Sequence, residues 1–415
     1  MRVEEEEEKP NPTRDLVPDL IEEILVGLPL RSILRFKIVS TQWRSILESR
    51  SFARRRRRRN KIHILEVRDN RTESQFKGDE EVEIVYLQCE AAATRPSMTC
   101  DGLVCIPEPG WINVLNPCMG ELLRFPSGPN PVDTSRYDHY DRPVRGEFRL
   151  DFLDFFPGYW SMGFGKDEVS GSYKIVRMFF DTDQTEILDI NIGEWRKLPS
   201  PPYPVEAFKH SAFVNGSIYW YQLIDGYKIL ALDLHTEQFR DVPRPLMCPL
   251  AAPLVNLDDR LALTTIYIAD SYENAEIWIM DTKEETWTKI YSIRILPIYR
   301  YPRPTCWMYC IPLTISKQGN FYFYDIEKRL FKYYPKIDQV CCINKHVRVL
   351  SPFVENMIPL QGPKIMTYPP GFQYSESRIS KIFRQIKLPT TLLLTTTVVA
   401  LVIFRFSSAS SRSLC

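Results

Sequence analysis

The sequence predicts a mainly β protein with a small α N-terminal domain: three short helices followed by a β-propeller-like repeat domain. Three observations carry that prediction. Apolar residues recur at helical spacing between Asp15 and Leu47. Beyond them, an acidic residue followed six positions later by a large aromatic recurs along the chain. Short apolar runs bounded by turn residues precede those acidic positions and read as strands.

Pro18 stands where a first helical turn tolerates proline. Asp19, Glu22 and Glu23 put negative charge near that helix's positive end. Val17, Leu20, Ile21, Ile24, Leu25 and Leu28 form one apolar stripe, which Gly27 weakens and Pro29 ends. The pattern predicts a second helix from Ser32 to Ile38 that buries Ile33, Leu34 and Phe36, with Val39 extending the buried side. Ser40 or Thr41 then caps a third, with Trp43, Ile46 and Leu47 facing inward. About forty residues of this kind cannot bury so much apolar surface among themselves without a metal, a disulfide or a neighbour. No zinc or disulfide spacing is present. Periodicity leaves two accounts open: a docking module completed by another protein, or a helical cap packed on this chain's own second domain.

The recurring element is Asp189 to Trp195, Asp233 to Phe239, Asp281 to Trp287 and Asp325 to Phe331, with successive aspartates 44, 48 and 44 residues apart. Asn116 to Leu122 is an earlier relative. Each Asp is expected to close a strand and cap a polar turn by accepting backbone N–H groups, and each aromatic to open the next strand. Asn215-Gly216 predicts a further tight turn. Several short strands per repeat at this period match the blades of a β-propeller, with a β-sandwich as the alternative and the blade count left open. The gap of 73 residues between Asn116 and Asp189 holds an inserted loop, "GPNPVDTSRYDHYDRPVRG".

The chain has 415 residues, 44% hydrophobic and 25% charged, enough for a substantial core. A net charge of +1 implies no global attraction to nucleic acid. Glu4–Glu8 reads as part of a disordered acidic tail. Arg54–Arg59 reads as a solvated, self-repelling linker, with nuclear import as its sharper alternative. The N-terminus has no secretory pattern, so the ten cysteines are expected as thiols, most of them buried. Gly163-x-Gly165 lacks the third glycine of a nucleotide loop and is read as a glycine turn between strands. His63, His139, His210, His235 and His346 share no ligand spacing. The repetition of Asp233, Asp281 and Asp325 marks them as turn caps rather than a catalytic set. No catalytic residue, cofactor site or metal site is predicted. Residues 390–405 are apolar but fall short of the roughly twenty that a spanning helix needs. They are read as a closing strand or aggregation-prone tail, with a membrane tail anchor as the alternative.

The stretch "VPDLIEEILVGLPLRSILRFKIVSTQWRSIL" closely resembles the F-box. The shared elements are Val17-Pro18, Ile24-Leu25-Val26-Gly27-Leu28-Pro29, Val39-Ser40 and Trp43-Arg44, and the departure is Thr41, where that family often has Lys. Residues 97–355 resemble the F-box-associated domain of plant F-box proteins. The motifs are Cys100-Asp101-Gly102-Leu103, Asn116-Pro117 with Phe125-Pro126, Gly163-Phe164-Gly165 with Tyr173-Lys174-Ile175-Val176-Arg177, and Asn215-Gly216-Ser217-Ile218-Tyr219-Trp220.

The resemblance implies the non-catalytic substrate-recognition subunit of a Skp–cullin–F-box ubiquitin ligase. It would dock on a Skp-type adaptor through the F-box and hold an unidentified target protein on the β domain. The implied adaptor contacts or local core are Pro18, Leu20, Ile24, Leu25, Leu28, Pro29, Leu34, Val39, Ser40 and Trp43. Trp220, Tyr221, Trp278, Trp307 and Tyr309 could enrich a recognition face, although strand aromatics more often fill blade cores. The alternative is a propeller enzyme or small-molecule-binding protein with an incidental helical cap. The expected organisation is a tail at 1–13, the F-box at 14–53, a basic linker and the start of the β domain at 54–96, the propeller-like domain at 97–355, an extension at 356–389 and the hydrophobic segment at 390–405. The expected location is cytoplasm or nucleus, or a membrane surface if the tail is an anchor.

Overall fold

A computed structural model describes residues 18–28, 30–49, 51–52, 55–56, 62–68, 78–88, 97–108, 111–126, 161–178, 184–203, 205, 211–222, 228–245, 254–269, 272–297, 310–325, 329–345, 349–362, 365–367 and 374–375. One compact unit runs Met1–Tyr374, and a second, Ser375–Cys415, lies outside the described residues apart from its first. The acidic tail, the inserted loop and residues 390–405 also lie outside them. Among the described residues no helix is long and apolar enough to cross a membrane.

Three helices open the chain: α1 (Pro18–Val26), α2 (Leu30–Phe36) and α3 (Thr41–Leu47). Six sheets follow, each a blade. The strands β3 (Met98–Cys100), β4 (Leu103–Glu108), β5 (Trp111–Asn116) and β6 (Glu121–Pro126) make one. The next is β7 (Ser161–Lys166), β8 (Tyr173–Met178), β9 (Thr185–Asp189) and β10 (Glu194–Leu198). Then come β11 (Ala212–Val214), β12 (Ser217–Tyr221), β13 (Ile229–Asp233) and β14 (Phe239–Val242). The fifth in chain order holds β15 (Val255–Leu257), β16 (Arg260–Ala269), β17 (Tyr272–Asp281) and β18 (Thr286–Pro297). The sixth holds β19 (Ile311–Ile315), β20 (Phe321–Tyr324), β21 (Leu330–Tyr334) and β22 (Gln339–Asn344).

The remaining blade is assembled from both ends of the array. The strands β1 (Ile62–Arg68) and β2 (Val82–Gln88) pair in parallel, and β23 (Val349–Phe353) pairs antiparallel with β1. Residues 62–68 and 82–88, expected in a linker and the start of the β domain, are therefore blade strands. The innermost strands β3, β7, β11, β15, β19 and β23 lie side by side in that order, and β23 also adjoins β3, so the ring closes with six blades. The chain then continues past 355, where an extension was drawn. β24 (Ile365–Thr367) adds a fifth strand to the first-described blade by pairing with β6.

Closure is secured by charge as well as by strand pairing. Lys332 on β21 is buried between two carboxylates of the loop before β2, Asp79 at 2.9 Å and Glu81. The Tyr322 hydroxyl donates to Asp79 at 2.9 Å, and Asn320 Nδ2 donates to Glu81 at 2.8 Å. For Asp79 the largest single effect, burial, pushes the carboxyl up, but hydrogen bonds from the Val82 backbone, Lys332, the Glu81 backbone and Tyr322 outweigh it. The net position of Asp79, and likewise of Glu81, is below the ordinary carboxylate value.

The turns bear out the chemistry read for the aspartates. Asp189 Oδ1 accepts from the N–H of Asn191 at 3.0 Å, Asp233 Oδ1 from Thr236 at 2.7 Å and Asp281 Oδ1 from Lys283 at 2.8 Å. All three close the third strand of their blades. Asn116 does the same for β5, accepting from Cys118 N–H at 3.1 Å. Asp325 does not belong to this series. It follows the second strand of its blade, and its carboxylate binds the Arg329 backbone and guanidinium instead. The matching spacing of 44 residues thus relates non-equivalent turns. Asn215-Gly216 forms the expected tight turn, with φ of 46° and 80° suited to a type I′ hairpin.

Gly163 and Gly165 correct the sequence reading. Both lie within β7, not in a turn. A Cβ at Gly163 would stand 2.6 Å from Trp220 Cζ2 and 2.7 Å from Ile218 Cγ2 of the next blade, so glycine permits the close inter-blade packing. Trp220 and Tyr221 are buried in separate blade cores, and Trp278 packs half-buried against the core that holds Tyr221. Trp307 and Tyr309 lie outside the described residues. Cys100, Cys105, Cys118 and Cys310 are buried thiols, and burial raises the Cys105 and Cys310 ionisations well above normal.

Two measurements check this account. Gly163→Ala should lower unfolding free energy by about 2–3 kcal/mol in urea titrations, because Trp220 and Ile218 have no room to retreat. The closing clamp should fail in acid. Its carboxylates ionise more readily folded than unfolded, so their contribution is present above about pH 4 and is lost as pH falls through the folded values. Melting temperature should therefore drop steeply below that pH, and Asp79→Asn should lower it at pH 7 and make the acid decline shallower.

Candidate functional site

The three helices are too short to enclose an interior, so their apolar residues look outward in two directions. Ile21, Leu25, Val26, Ile33 and Leu47 face the propeller and join one core with Leu65 and Val67 of β1, Val85 and Leu87 of β2, Val104 and Ile106 of β4 and Leu115 of β5. Phe52, just beyond α3, completes that core. To this extent the module is a cap on its own chain.

The cap is not closed. Leu20 remains 42% exposed, Val39 53% and Ile38 81%. Leu28, Phe36, Trp43 and Ile46 are only partly buried. Phe36 and Trp43 meet edge to face with ring centroids 5.2 Å apart, bracing the turn between α2 and α3 that presents Ile38 and Val39. Val39 was expected to extend the buried side of the second helix. It does not, because α2 ends at Phe36 and the chain turns outward before the Ser40 cap. Ser40 Oγ accepts from Trp43 N–H at 3.1 Å and fixes where α3 begins. The turn thus presents two adjacent β-branched residues to solvent on a capped, aromatic-braced support.

The implied contact residues therefore separate. Leu20, Val39 and Ser40 are exposed, Ile24, Leu28 and Trp43 are intermediate, and Leu25 is wholly given to the internal core. Pro18 starts α1 and Leu34 lies within α2, but their side chains, and Pro29, lie outside the described residues. Sequence reasoning omitted Ile38, the most exposed apolar residue among the described residues of the module; its signal was an isoleucine placed beyond the last apolar helical position.

Charged residues fix the module on its platform. Arg56 is 4% exposed. Its guanidinium forks onto both oxygens of Glu355, with Nη2 to Oε1 at 3.1 Å, and Nη1 donates to the Val26 carbonyl at 3.1 Å and to Leu28. Those are carbonyls at the end of α1, where a cation is favoured. Lys37, 6% exposed, donates to the Met357 carbonyl and pairs with Glu48 at 2.9 Å. Arg55 pairs with Glu22 at 3.1 Å and Glu23 at 2.7 Å. The basic run was read as a solvated linker; two of its members instead rivet the helices in place. The rest of the run lies outside the described residues.

Among the described residues no group of three or more His, Cys, Asp and Glu could hold a metal ion. His235 lies exposed in a turn, 3.4 Å from Asp167, and His63 reaches Glu83 at 3.6 Å. His139, His210 and His346 lie outside the described residues.

Comparison with known proteins bears on the same two regions. A family profile described as the F-box domain matches residues 14–55, and one described as the F-box associated beta propeller domain matches residues 60–346. An F-box/LRR-repeat protein of Arabidopsis thaliana is 45% identical over 400 residues, covering 91% of this chain and 90% of its own. An F-box/kelch-repeat protein of the same plant is 43% identical, covering 94% and 98%. A further F-box protein from it is 44% identical, covering 83% and 84%.

The cap geometry gives a local prediction. Ser40→Ala removes the acceptor for the Trp43 N–H and should cost about 1 kcal/mol in thermal unfolding, while Ser40→Asn should recover most of it.

Proposed function

This chain belongs to the F-box proteins that carry an F-box-associated β-propeller domain, and we propose that it is the substrate-recognition subunit of a Skp–cullin–F-box type ubiquitin ligase. The helical module docks on the Skp-type adaptor, and the propeller holds a target protein. The observation that carries this reading is the apolar surface left on the module after the propeller has taken its share: Leu20, Ile38 and Val39 exposed, with Leu28 and Trp43 half-buried beside them. A cap with no partner gains nothing from displaying an isoleucine and a valine on a braced turn, and such a surface is an aggregation hazard unless covered.

The chain acts by proximity. Holding a target's lysines near an activated ubiquitin raises their effective concentration, and the reacting groups belong to the rest of the ligase. The alternative, a propeller enzyme or small-molecule binder with an incidental cap, predicts convergent polar groups around a pocket and no dependence on the module's outer surface.

The discriminating experiment is a binding titration with purified Skp adaptor. Ile38→Asp and Val39→Asp change side chains that carry no part of the internal core, so melting temperature should stay within a degree or so of wild type. Each should weaken adaptor binding about tenfold or more, as expected for charge placed in a desolvated apolar contact. Wild-type affinity in both variants would make the module a cap only.

A further inference from the structure

The helices and the propeller are joined twice over, by apolar packing and by two buried cations that end on one short segment. That segment, residues 354–362, leaves β23 and crosses the propeller as a strap. Its Glu355 and the Met357 carbonyl receive Arg56 and Lys37. Met357 enters the core shared with the helices, and Leu360 enters the core between the neighbouring blades. The strap is itself tied down. Asn356 Nδ2 donates to the Tyr173 hydroxyl at 3.1 Å, Asn116 Nδ2 donates to the Ile358 carbonyl at 3.1 Å, and the Leu360 N–H donates to Glu121 at 2.8 Å. Gly102 lets the β3–β4 turn close under it, since a Cβ there would lie 1.9 Å from the Val354 carbonyl oxygen.

Apolar packing alone favours burial but is indifferent to small rotations. A forked guanidinium–carboxylate pair is directional, and burial makes any departure from its geometry costly. We infer that Arg56, Lys37 and the 354–362 strap form a positioning lock, which holds the adaptor-facing helices at one angle on the propeller and so sets where a bound target is presented for ubiquitin transfer. The consequence for transfer rests on the proposed function; the lock itself does not.

The full chain tests it. Spin labels on unnatural residues at Ser45 of α3 and Thr288 of β18, both exposed, report the helix-to-propeller distance by pulsed dipolar spectroscopy. Wild type should give one narrow distribution. Glu355→Gln and Lys37→Met preserve side-chain size, and each should broaden it about twofold while the propeller's unfolding transition is retained. Unchanged width in both variants, or a wild-type distribution already broad, would overturn the lock. In a reconstituted ligase, mass spectrometry of the chain's own ubiquitylated lysines should show a confined set in wild type and a wider set in either variant, with adaptor affinity unchanged. An identical set in all three would overturn the positioning role. If wild type fails to bind the adaptor, the functional reading falls, and the distance distributions still decide on the lock.

Discussion

Arg56 is the interaction on which the arrangement turns. One side chain satisfies the end of α1 and a carboxylate on the propeller at the same time. The carbonyls of Val26 and Leu28 would otherwise face a dry interface, which costs each of them a hydrogen bond. With the guanidinium in place, α1 can end against the propeller rather than in water. The apolar residues that follow then divide, some sealing the seam and others remaining outside. The two-sidedness of the module follows from that anchorage.

The helices were legible because their signals are local. Pro18, the spacing from Leu20 to Leu28 and the Ser40 cap each act within a turn or two, and α1 and α3 form where those residues predict, whereas α2 starts and ends two residues earlier than its pattern suggests. The Asn215-Gly216 turn and the Asp189, Asp233 and Asp281 caps were legible for the same reason. The closing blade was not. Its pairing of residues 62–68 with 349–353 joins segments that share no local pattern, and only completion of the ring brings them together. Gly163 was misread because a glycine in sequence looks like a turn, whereas here it answers to Trp220 of another blade. Asp325 shows the converse error, a correct spacing attached to the wrong turn.

The candidate surface was legible only in part. Leu20, Val39 and Ser40 could be named from the motif, but which residues a helix shows and which it hides depends on what it packs against. Leu25 carries the same motif signal and is consumed by the internal core. Arg56 could not be distinguished within a run of identical residues, since charge in sequence does not reveal which member meets two carbonyls and a carboxylate. Family membership is legible in the residues of the module; the contact that ties it to the propeller joins residues 299 positions apart.

The closure of the ring by β1 and β23 has a consequence for biogenesis. On the ribosome the helices emerge first, yet the ring is sealed by some of the last blade residues to appear. Throughout that interval the nascent helices have no finished seat, and their greasy surfaces stand open to chaperones or to an early partner. A message cut short before codon 353 would yield a polypeptide bearing the F-box helices without a completed ring beneath them, a product that cells have reason to destroy.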